Sequence, residues 1–164
     1  MKIYLDFDDV LVDTYNKVNE LKRKDQTHRE FITSCDWNNI LEDIQVINDS
    51  IHYLKNTKLD VNILSKVSTL NEAEAKVKFL RRNGVKVNIH IVPNLLKKDD
   101  IVSAKGNILI DDKIYNLDNW TSAGGIGIFF NKDNNNIDVY GKKNTKYQLI
   151  NNLDLLISGI QKYL

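Results

Sequence analysis

Apolar and polar residues alternate along this chain in two rhythms, and each rhythm predicts one kind of element. Short runs rich in β-branched and aromatic residues predict strands, and they occupy residues 2–7, 61–64, 85–92, 108–110 and 126–130. Longer stretches with a helical spacing of apolar residues separate most of these runs. Alternation of strand and helix is typical of an α/β fold with a parallel sheet that has helices on both faces.

Several helices and one further strand follow from the same pattern. Helices are predicted at residues 10–24, 70–83 and 114–122. Gly84 is expected to close the second of them, because glycine readily adopts the left-handed conformation that ends helices. Residues 25–36 break the pattern and predict no regular element, and residues 137–140 are a candidate edge strand.

Two stretches carry apolar residues at alternating spacings of three and four, which is the pattern of one amphipathic helix face. The first predicts a helix over 37–56 with Asp36 as its N-cap, from Ile40, Ile44, Ile47, Ile51 and Leu54. The second predicts a closing helix from Ile150, Leu153, Ile157, Ile160 and Leu164. We expect the closing helix to pack on the core, with a contact between two copies of the chain as the alternative, so the protein is a monomer or a homodimer.

The length bounds the domain organisation. A chain of 164 residues suits one domain that carries at most a small insertion. We assign residues 1–14 and 57–164 to a core domain. Residues 15–56 form a small helical insertion, and its helix at 37–56 is expected to pack against the core.

Charge and cysteine content exclude several classes of protein. Lys and Arg number 23 against 22 Asp and Glu, so we predict no extended nucleic-acid surface. Cys35 is the single cysteine, which excludes an internal disulfide and a zinc site built from several cysteines. No apolar run approaches the roughly 20 residues that span a bilayer, and the first residues are unlike a signal peptide. We therefore expect a cytoplasmic protein that binds a small molecule at a local site.

Polar side chains gather where the predicted strands end. The residues concerned are Asp6, Asp8 and Asp9 after the first strand, Ser65 after 61–64, and Asp111 and Asp112 after 108–110. Because ligands of parallel sheets sit at the carboxyl ends of the strands, these acids would crowd at one edge. Their repulsion is tolerable with a cation, with raised pKa values or with nearby lysines. Oxygen ligands without His or Cys favour Mg²⁺, so we predict a magnesium site there.

These motifs, in this order, resemble those of the haloacid dehalogenase (HAD) superfamily. DFDDVL at 6–11 resembles its first motif, Ser65 after VNIL its second, and ILIDD at 108–112 its fourth. The resemblance covers almost the whole chain. It implies a Rossmann-like three-layer core, a small helical cap inserted after the first strand, and a Mg²⁺-dependent phosphatase.

Within the superfamily, the chain is most similar to 5′-nucleotidases of the deoxyribonucleotidase type. This likeness rests on DFDDVLVD at 6–13, on LIDDKIYNLDNW at 109–120, and on Lys76 in the helix after the second motif. It implies hydrolysis of nucleoside 5′-monophosphates, deoxynucleotides in particular. It also implies that Lys76 belongs to the phosphate-binding residues.

The resemblance gives each acidic residue a role. Asp6 would attack phosphorus and form an aspartyl-phosphate, while Asp8 would protonate the leaving alkoxide and later activate water. Asp6, the backbone carbonyl of Asp8, Asp111 and Asp112 would hold Mg²⁺, with one of the last two acting directly and the other through water. Asp9 is expected to lie in the turn.

A lysine upstream of the last acidic strand forms the superfamily's third motif, and three lysines compete for that place. They are Lys97, Lys98 and Lys105. We favour Lys98, because Lys105 adjoins Gly106 in the predicted turn before the strand. Ser65 and this lysine would bind the phosphate oxygens and stabilise their charge.

The cap is expected to choose the substrate. Tyr15, Phe31 and Trp37 are aromatic residues there that could stack on a base, although a cap this small also needs aromatic groups for its own packing. The three histidines show no ligand pairing, and we interpret them as structural or surface residues: His28, His52 and His90.

Other functions fit parts of the pattern. A phosphorylation-switched receiver needs its acceptor Asp at the end of a middle strand, whereas residues 60–66 end in Ser and Lys. A binding module that kept the fold but lost catalysis is a second alternative. Within the phosphatases, polynucleotide ends or another small phosphorylated metabolite are alternative substrates, and the near-neutral charge argues against the former.

Overall fold

The computed structural model describes residues 1–156 and residue 160. Within them, the strands form one six-stranded sheet in the order β3-β2-β1-β4-β5-β6, and every neighbouring pair is parallel. The strands are β1 (Ile3–Leu5), β2 (Val61–Val67), β3 (Ile89–Pro93), β4 (Ile108–Asp111), β5 (Ile126–Phe130) and β6 (Gln148–Ile150). The predicted α/β fold with a parallel sheet is confirmed.

Short helices connect the strands. They are α1 (Thr14–Leu21), α2 (His28–Ser34), α3 (Trp37–Glu42), α4 (Ser50–Asn56), α5 (Leu70–Arg82) and α6 (Ile114–Ser122). Two 3₁₀ turns cover Lys98–Asp100 and Leu153–Leu155. Helices α5 and α6 match the predictions, and Gly84 follows α5 with a φ of +78°. In the part of the chain that the structure describes, no helix is both long enough and apolar enough to cross a membrane.

The register of the central strands brings three strand ends to one edge. Leu5 of β1 pairs with Ile63 of β2 and with Ile110 of β4. The next residue in two of these strands is an acid, Asp6 after Leu5 and Asp111 after Ile110. The backbone N–H of Asp6 donates to the carbonyl of Ile110 at 2.9 Å, so these two acids are level with one another.

Successive residues of β1 face opposite layers, as side chains of a strand do. Ile3 and Leu5 belong to one buried cluster, which also contains residues of α3 and α5. Tyr4 belongs to a second buried cluster with Trp120 of α6. The sheet is therefore covered on both faces, which gives the three layers of a Rossmann-like core.

The predicted helix at 10–24 is wrong in its first turn, because α1 begins only at Thr14. Before it, the chain makes a tight turn in which the Asp9 N–H donates to the Val12 carbonyl at 2.8 Å. Asp9 has a φ of +58°, and a right-handed helix cannot pass through a left-handed residue. Val12 then pairs with Val46 of the insertion, which holds the turn over the end of β1.

The insertion contains one helix where none was predicted. Helix α2 lies within 25–36 and begins with a capping box, in which Thr27 and Glu30 satisfy each other's backbone N–H groups. The predicted single helix over 37–56 is also wrong. Asp36 is the N-cap as predicted, but α3 ends at Glu42 and α4 begins at Ser50.

Tertiary contacts explain the break in the predicted helix. The Ile47 N–H donates to the Leu11 carbonyl at 2.9 Å, and Asn48 and Asp49 have positive φ values of 43° and 54°. Ile44 and Ile47 are nevertheless buried in the core. The apolar spacing therefore identified the buried residues but not the path of the chain between them.

The last strand and the closing helix also differ from the prediction. Residues 137–140 form no strand, and Ile137 makes only an isolated bridge with Lys143. The edge strand is β6, which includes Ile150, the first residue of the predicted helix. Leu153 lies in a 3₁₀ turn, and Ile150, Leu153 and Ile160 are buried, as packing on the core requires. Ile157 and Leu164 lie outside the described residues.

Candidate active site

Buried carboxylates meet at the carboxyl edge of the sheet. Asp6 follows β1, Asp111 ends β4, and Asp112 follows it. One oxygen from each of these three side chains lies within 4.8 Å of the others, and all three side chains are buried. The register of β1 and β4 produces this meeting, so the sequence prediction that the two acidic strand ends converge agrees with the structure.

A buried lysine joins two of these carboxylates. The Nζ of Lys98 lies 2.6 Å from Oδ2 of Asp111 and 3.0 Å from Oδ1 of Asp6, and we call these three residues the Lys98 cluster. Burial alone would raise the pKa of Asp6, but Lys98, with help from Lys113 and Lys76, lowers it. Asp6 is therefore held as a carboxylate.

The structure distinguishes the three lysines that compete for the third motif. Only Lys98 among them reaches the buried acids, because the 3₁₀ turn Lys98–Asp100 directs it inward. Lys97 is exposed at the rim of a cavity. Lys105 is exposed and lies beside Gly124 at the opposite end of β4.

Asp111 and Asp112 have different surroundings. Asp111 accepts hydrogen bonds from Lys98, from the backbone of Lys113 and from the side chain of Asn116. Neither oxygen of Asp112 has a hydrogen-bond partner among the described residues, although the residue is only 5% exposed. Burial, opposed by Lys113 but helped by neighbouring acids, raises the pKa of Asp112 well above its usual value. Asp112 is thus the carboxylate with both oxygens available.

This donor set fits a magnesium ion. Mg²⁺ prefers oxygen ligands and is usually bound by one or two carboxylates, with water and substrate phosphate completing the shell. Asp6 and Asp112 could supply the direct carboxylate oxygens, and an ion between them would satisfy the two buried oxygens of Asp112. Asp111 is occupied by Lys98 and Asn116, so it could contribute only through water.

Asp8 is held by hydrogen bonds at both of its oxygens. The hydroxyl of Thr14, the first residue of α1, donates to Oδ1 at 2.7 Å, and the Nζ of Lys76 donates to Oδ2 at 2.6 Å. Lys76 also donates to Oε1 of Glu72 at 2.7 Å, and we call Asp8, Lys76 and Glu72 the Lys76 cluster. The predicted phosphate ligand Ser65 is buried beside this cluster, where its hydroxyl oxygen accepts from Lys76 at 3.1 Å.

A cavity of about 880 Å³ opens in front of Asp6 and Asp8. Its wall on the insertion side includes Tyr15 and His28, whose rings stack with centroids 6.3 Å apart. The rest of its lining comes mainly from the end of β2, the loops that follow β2 and β3, the start of α6 with the residue before it, and residues 139–140. Its side chains include Lys66, Leu95, Leu96, Lys97, Lys113, Tyr115, Val139 and Tyr140.

The predicted cap aromatics differ in how they meet the cavity. Tyr15 lines it and is partly exposed. Trp37 reaches its wall but is only 2% exposed, and its indole N–H donates to the Ile32 carbonyl at 2.9 Å. Phe31 packs half-buried against the hydrophobic core. Of the three, Tyr15 both lines the cavity and is exposed, whereas Trp37 and Phe31 make their contacts mainly within the protein.

Several cavity residues escaped the sequence analysis. His28 was interpreted as structural or surface, yet it lines the cavity, where burial and the neighbouring Lys113 lower its pKa. Tyr115 and Tyr140 are exposed beside lysine side chains, Lys66 at 5.9 Å and Lys113 at 6.0 Å from the ring centroids. Lys113 directly follows Asp111 and Asp112, so the sequence did contain a signal that it lies near the acids. Nothing in the pattern placed Tyr140.

The sequence matches no protein-family model and no curated protein. Among solved structures, the chain is similar to a HAD-superfamily hydrolase from Ehrlichia chaffeensis, with a TM-score of 0.54 and 12% identity over 99% of this chain and 96% of that one. It is also similar to a hydrolase from Pseudomonas syringae, with a TM-score of 0.53 and 12% identity over 96% of each chain. At these identities, the likeness shows a shared fold.

Proposed function

We propose that the protein is a Mg²⁺-dependent phosphomonoesterase of the HAD type that hydrolyses nucleoside 5′-monophosphates, preferably deoxynucleotides, in the cytoplasm. The observation that carries this proposal is the pairing of Asp6 with Lys98, in front of a cavity that also exposes Asp8. The two acids lie in the order and spacing of the motif described above. The fold shared with a HAD-superfamily hydrolase supports the same reading.

Asp6 is suited to act as the nucleophile. Lys98 holds one of its oxygens and keeps the group ionised, so a carboxylate oxygen is available to attack phosphorus and form an aspartyl-phosphate. Mg²⁺, when bound by Asp6, the Asp8 carbonyl and Asp112, would screen the charge of the phosphate and orient it for displacement. Lys98 and Ser65 would stabilise the charge on the phosphoryl oxygens.

Asp8 is suited to general acid and base catalysis. Its carboxyl lines the cavity next to Asp6, yet it is two residues further along the turn and is not paired with Lys98. In the first step, Asp8 would give a proton to the departing alkoxide. In the second step, it would take a proton from the water that attacks the phosphorus of the aspartyl-phosphate and releases phosphate from Asp6.

The walls of the cavity support a nucleotide as the substrate. The stacked Tyr15 and His28 offer an aromatic surface for a base. Lys66, Lys97 and Lys113 line the same cavity and form no ion pair with any described residue, so they favour an anionic ligand. A cavity of about 880 Å³ is large enough for a nucleotide with space to spare.

A second candidate substrate is the phosphorylated end of a polynucleotide. Two exposed tyrosines, Tyr115 and Tyr140, each lie beside a lysine at the cavity. Aromatic rings that alternate with cations are the means by which proteins hold single-stranded nucleic acid. The near-neutral net charge of +1 limits this surface to the few nucleotides next to the site.

Phosphate release from a panel of substrates tests both candidates. The panel contains deoxy- and ribonucleoside 5′-monophosphates, sugar phosphates and a 3′-phosphorylated oligonucleotide, with Mg²⁺ or with a chelator. We expect the fastest release from a nucleoside monophosphate, loss of release with chelator, and loss in Asp6→Asn. Preference for the oligonucleotide would select the second candidate, and absence of release from every substrate would overturn the phosphatase proposal.

A further inference from the structure

The buried face of helix α5 carries an ion pair that reaches Asp8. We infer that Glu72, acting through Lys76, is a positioning residue that fixes the orientation of the Asp8 carboxyl in the site. This inference rests on the proposed function, and it gives Lys76 a different task from the phosphate binding that its sequence position implied.

Lys76 has no proton left for a substrate. Its Nζ lies 2.6 Å from Oδ2 of Asp8, 2.7 Å from Oε1 of Glu72, 3.1 Å from Oγ of Ser65 and 3.2 Å from the carbonyl oxygen of Lys66. An ammonium group has three N–H bonds, and these four acceptors engage all of them. The group therefore acts on the protein's own carboxylates.

The surroundings of Lys76 make its partners necessary. The residue is 1% exposed, and its Nζ lies 5.2 Å from the ring centroid of Phe7 and 5.1 Å from that of Trp37. A charged group buried among aromatic rings is costly unless it is paired. Burial acts to lower the pKa of Lys76, but Asp8 and Glu72 outweigh it and raise the pKa, so the group stays an ammonium.

Glu72 is itself fixed by the start of helix α5. Its Oε2 accepts from the backbone N–H of Ser68 at 2.7 Å, and its own N–H donates to the hydroxyl of Thr69, the N-cap, at 3.1 Å. Because one oxygen is anchored to the backbone, the other presents a fixed acceptor to Lys76. The positions of Lys76 and of Asp8 Oδ2 follow from it.

If the ion pair between Glu72 and Lys76 served stability alone, Lys76 would not need to contact Asp8. Buried ion pairs are often no more stabilising than apolar residues of the same size, so burial alone does not account for this one. Asp8 is also held by Thr14 at its other oxygen, which leaves the carboxyl with a defined plane. Without Glu72, the ammonium of Lys76 would lose the one acceptor that is anchored to the backbone, and Asp8 would lose its fixed orientation.

Helix α5 provides a matched control for Glu72. Glu74 and Lys78 form a second pair at the same spacing and the same 2.7 Å distance, but their side chains are 60% and 61% exposed and face away from the site. Glu72→Gln and Glu74→Gln therefore remove the same charge from the same kind of pair on one helix. Only the first change should affect Asp8.

The test compares substrates with different leaving groups. A primary alkyl phosphate needs a proton from Asp8 as its alkoxide departs, whereas 4-nitrophenyl phosphate needs little help. We expect Glu72→Gln to lower kcat/KM at least about 30-fold for the alkyl phosphate and less than about threefold for 4-nitrophenyl phosphate. Glu74→Gln should leave both values within about twofold. Equal losses for the two substrates in Glu72→Gln would overturn the inference.

A second measurement does not depend on activity. The coupling between Lys76→Met and Asp8→Asn is taken from the unfolding of the single and double variants, with and without Glu72→Gln. We expect Glu72→Gln to remove at least half of that coupling, and an unchanged coupling would overturn the inference. If the wild-type protein hydrolyses neither substrate, the proposed function fails, and the coupling still decides whether Glu72 positions Asp8.

Discussion

Two buried lysines lie on opposite sides of the candidate site, and each joins a pair of carboxylates. In the Lys98 cluster, all three side chains are at most 4% exposed, so water reaches little of the cluster beyond the edge of Asp6 that lines the cavity. In the Lys76 cluster, the side chain of Asp8 is 16% exposed and borders the cavity. Under the proposed function, this difference corresponds to two separate tasks: one lysine keeps the nucleophile ionised, and the other orients the acid that exchanges protons.

Asp112 differs from the other buried acids of the site, because it belongs to neither cluster. Both lysines are already committed, so nothing among the described residues donates a hydrogen bond to its oxygens. The site pairs Asp6, Asp111 and Asp8 with lysines and leaves Asp112 as a carboxylate that could hold a cation. Substitutions in each cluster and at Asp112 test these differences.

The largest expected effect is the loss of Lys98. In metal-free protein, Lys98→Met leaves Asp6 and Asp111 unpaired in a closed environment and should lower the free energy of unfolding by about 3–5 kcal/mol. Lys76→Met should cost less, about 2–3 kcal/mol, because Asp8 can be hydrated from the cavity. Urea denaturation at pH 7 measures both. A greater loss in Lys76→Met would contradict the contrast between the clusters.

Asp112→Asn should have the opposite sign in metal-free protein. Because the pKa of Asp112 is raised in the folded state, its ionised form opposes folding increasingly as pH rises. The free energy of unfolding of the variant should therefore exceed that of the wild type by about 1–3 kcal/mol at pH 8 and by less at pH 4. It should also lose the stabilisation by Mg²⁺ that mass action gives the wild type. Thermal unfolding with Mg²⁺ or chelator measures this, and an unchanged Mg²⁺ shift would refute Asp112 as a ligand.

Asp9 is a half-buried acid that belongs to neither cluster, and its raised pKa makes its effect on stability depend on pH. Burial raises the pKa of Asp9 to about 7, despite the hydrogen bond from the Tyr15 N–H. Native protein then binds the proton of Asp9 more tightly than unfolded protein, so the contribution of Asp9 to stability is greatest at low pH and is lost as pH rises from about 4 towards 7. Asn keeps the acceptor oxygen and tolerates the φ of +58°. A pKa raised from 3.8 to about 7 corresponds to at most about 4 kcal/mol, and the partial exposure of Asp9 reduces this value. The free energy of unfolding of Asp9→Asn should therefore exceed that of the wild type by about 1–3 kcal/mol at pH 8 and be unchanged at pH 4 in metal-free protein. An equal gain at both values would exclude titration as the cause.

The smallest expected effect belongs to the exposed pair on α5. Glu74→Gln breaks a 2.7 Å ion pair at the surface, and such pairs contribute little because water and salt screen them. The free energy of unfolding should change by less than about 0.5 kcal/mol. Urea denaturation at low and high salt measures it. A loss as large as that of a buried pair would show that distance, rather than burial, sets the strength of these contacts.

Much of the Lys98 cluster could be predicted from the chain alone. Asp6 and Asp111 are adjacent to strands whose apolar runs are unmistakable, and parallel strands bring their carboxyl ends together. Three candidate lysines precede β4, and Lys98 was favoured because Lys105 adjoins Gly106, but the choice among them needed the 3₁₀ turn that directs Lys98 inward. A turn of three residues is too short to leave a periodic pattern in the sequence.

The contacts of the Lys76 cluster could be predicted only in part from the sequence. Lys76 could be located on helix α5 from the helical spacing, but its partner depended on the turn over β1 that brings Asp8 to it. Asp9 was expected in that turn, whereas residues 10–13 were predicted as helix. Glu72 gave no signal beyond its place near a helix start. The cavity wall contributed by Tyr140 comes from an irregular segment after β5, which no propensity describes. The path of the insertion, including the break between α3 and α4, was set by contacts distant in sequence.

Detection of a phosphorylated Asp6 is the most direct test of Asp6 as the nucleophile of a phosphatase. Wild-type protein is mixed with Mg²⁺ and a nucleoside monophosphate, quenched with acid within milliseconds, digested and examined by mass spectrometry. We expect phosphate on the carboxyl of Asp6, formed only with metal and absent in Asp6→Asn. Steady release of phosphate without any phosphorylated Asp6, or with phosphate on another side chain, would contradict it.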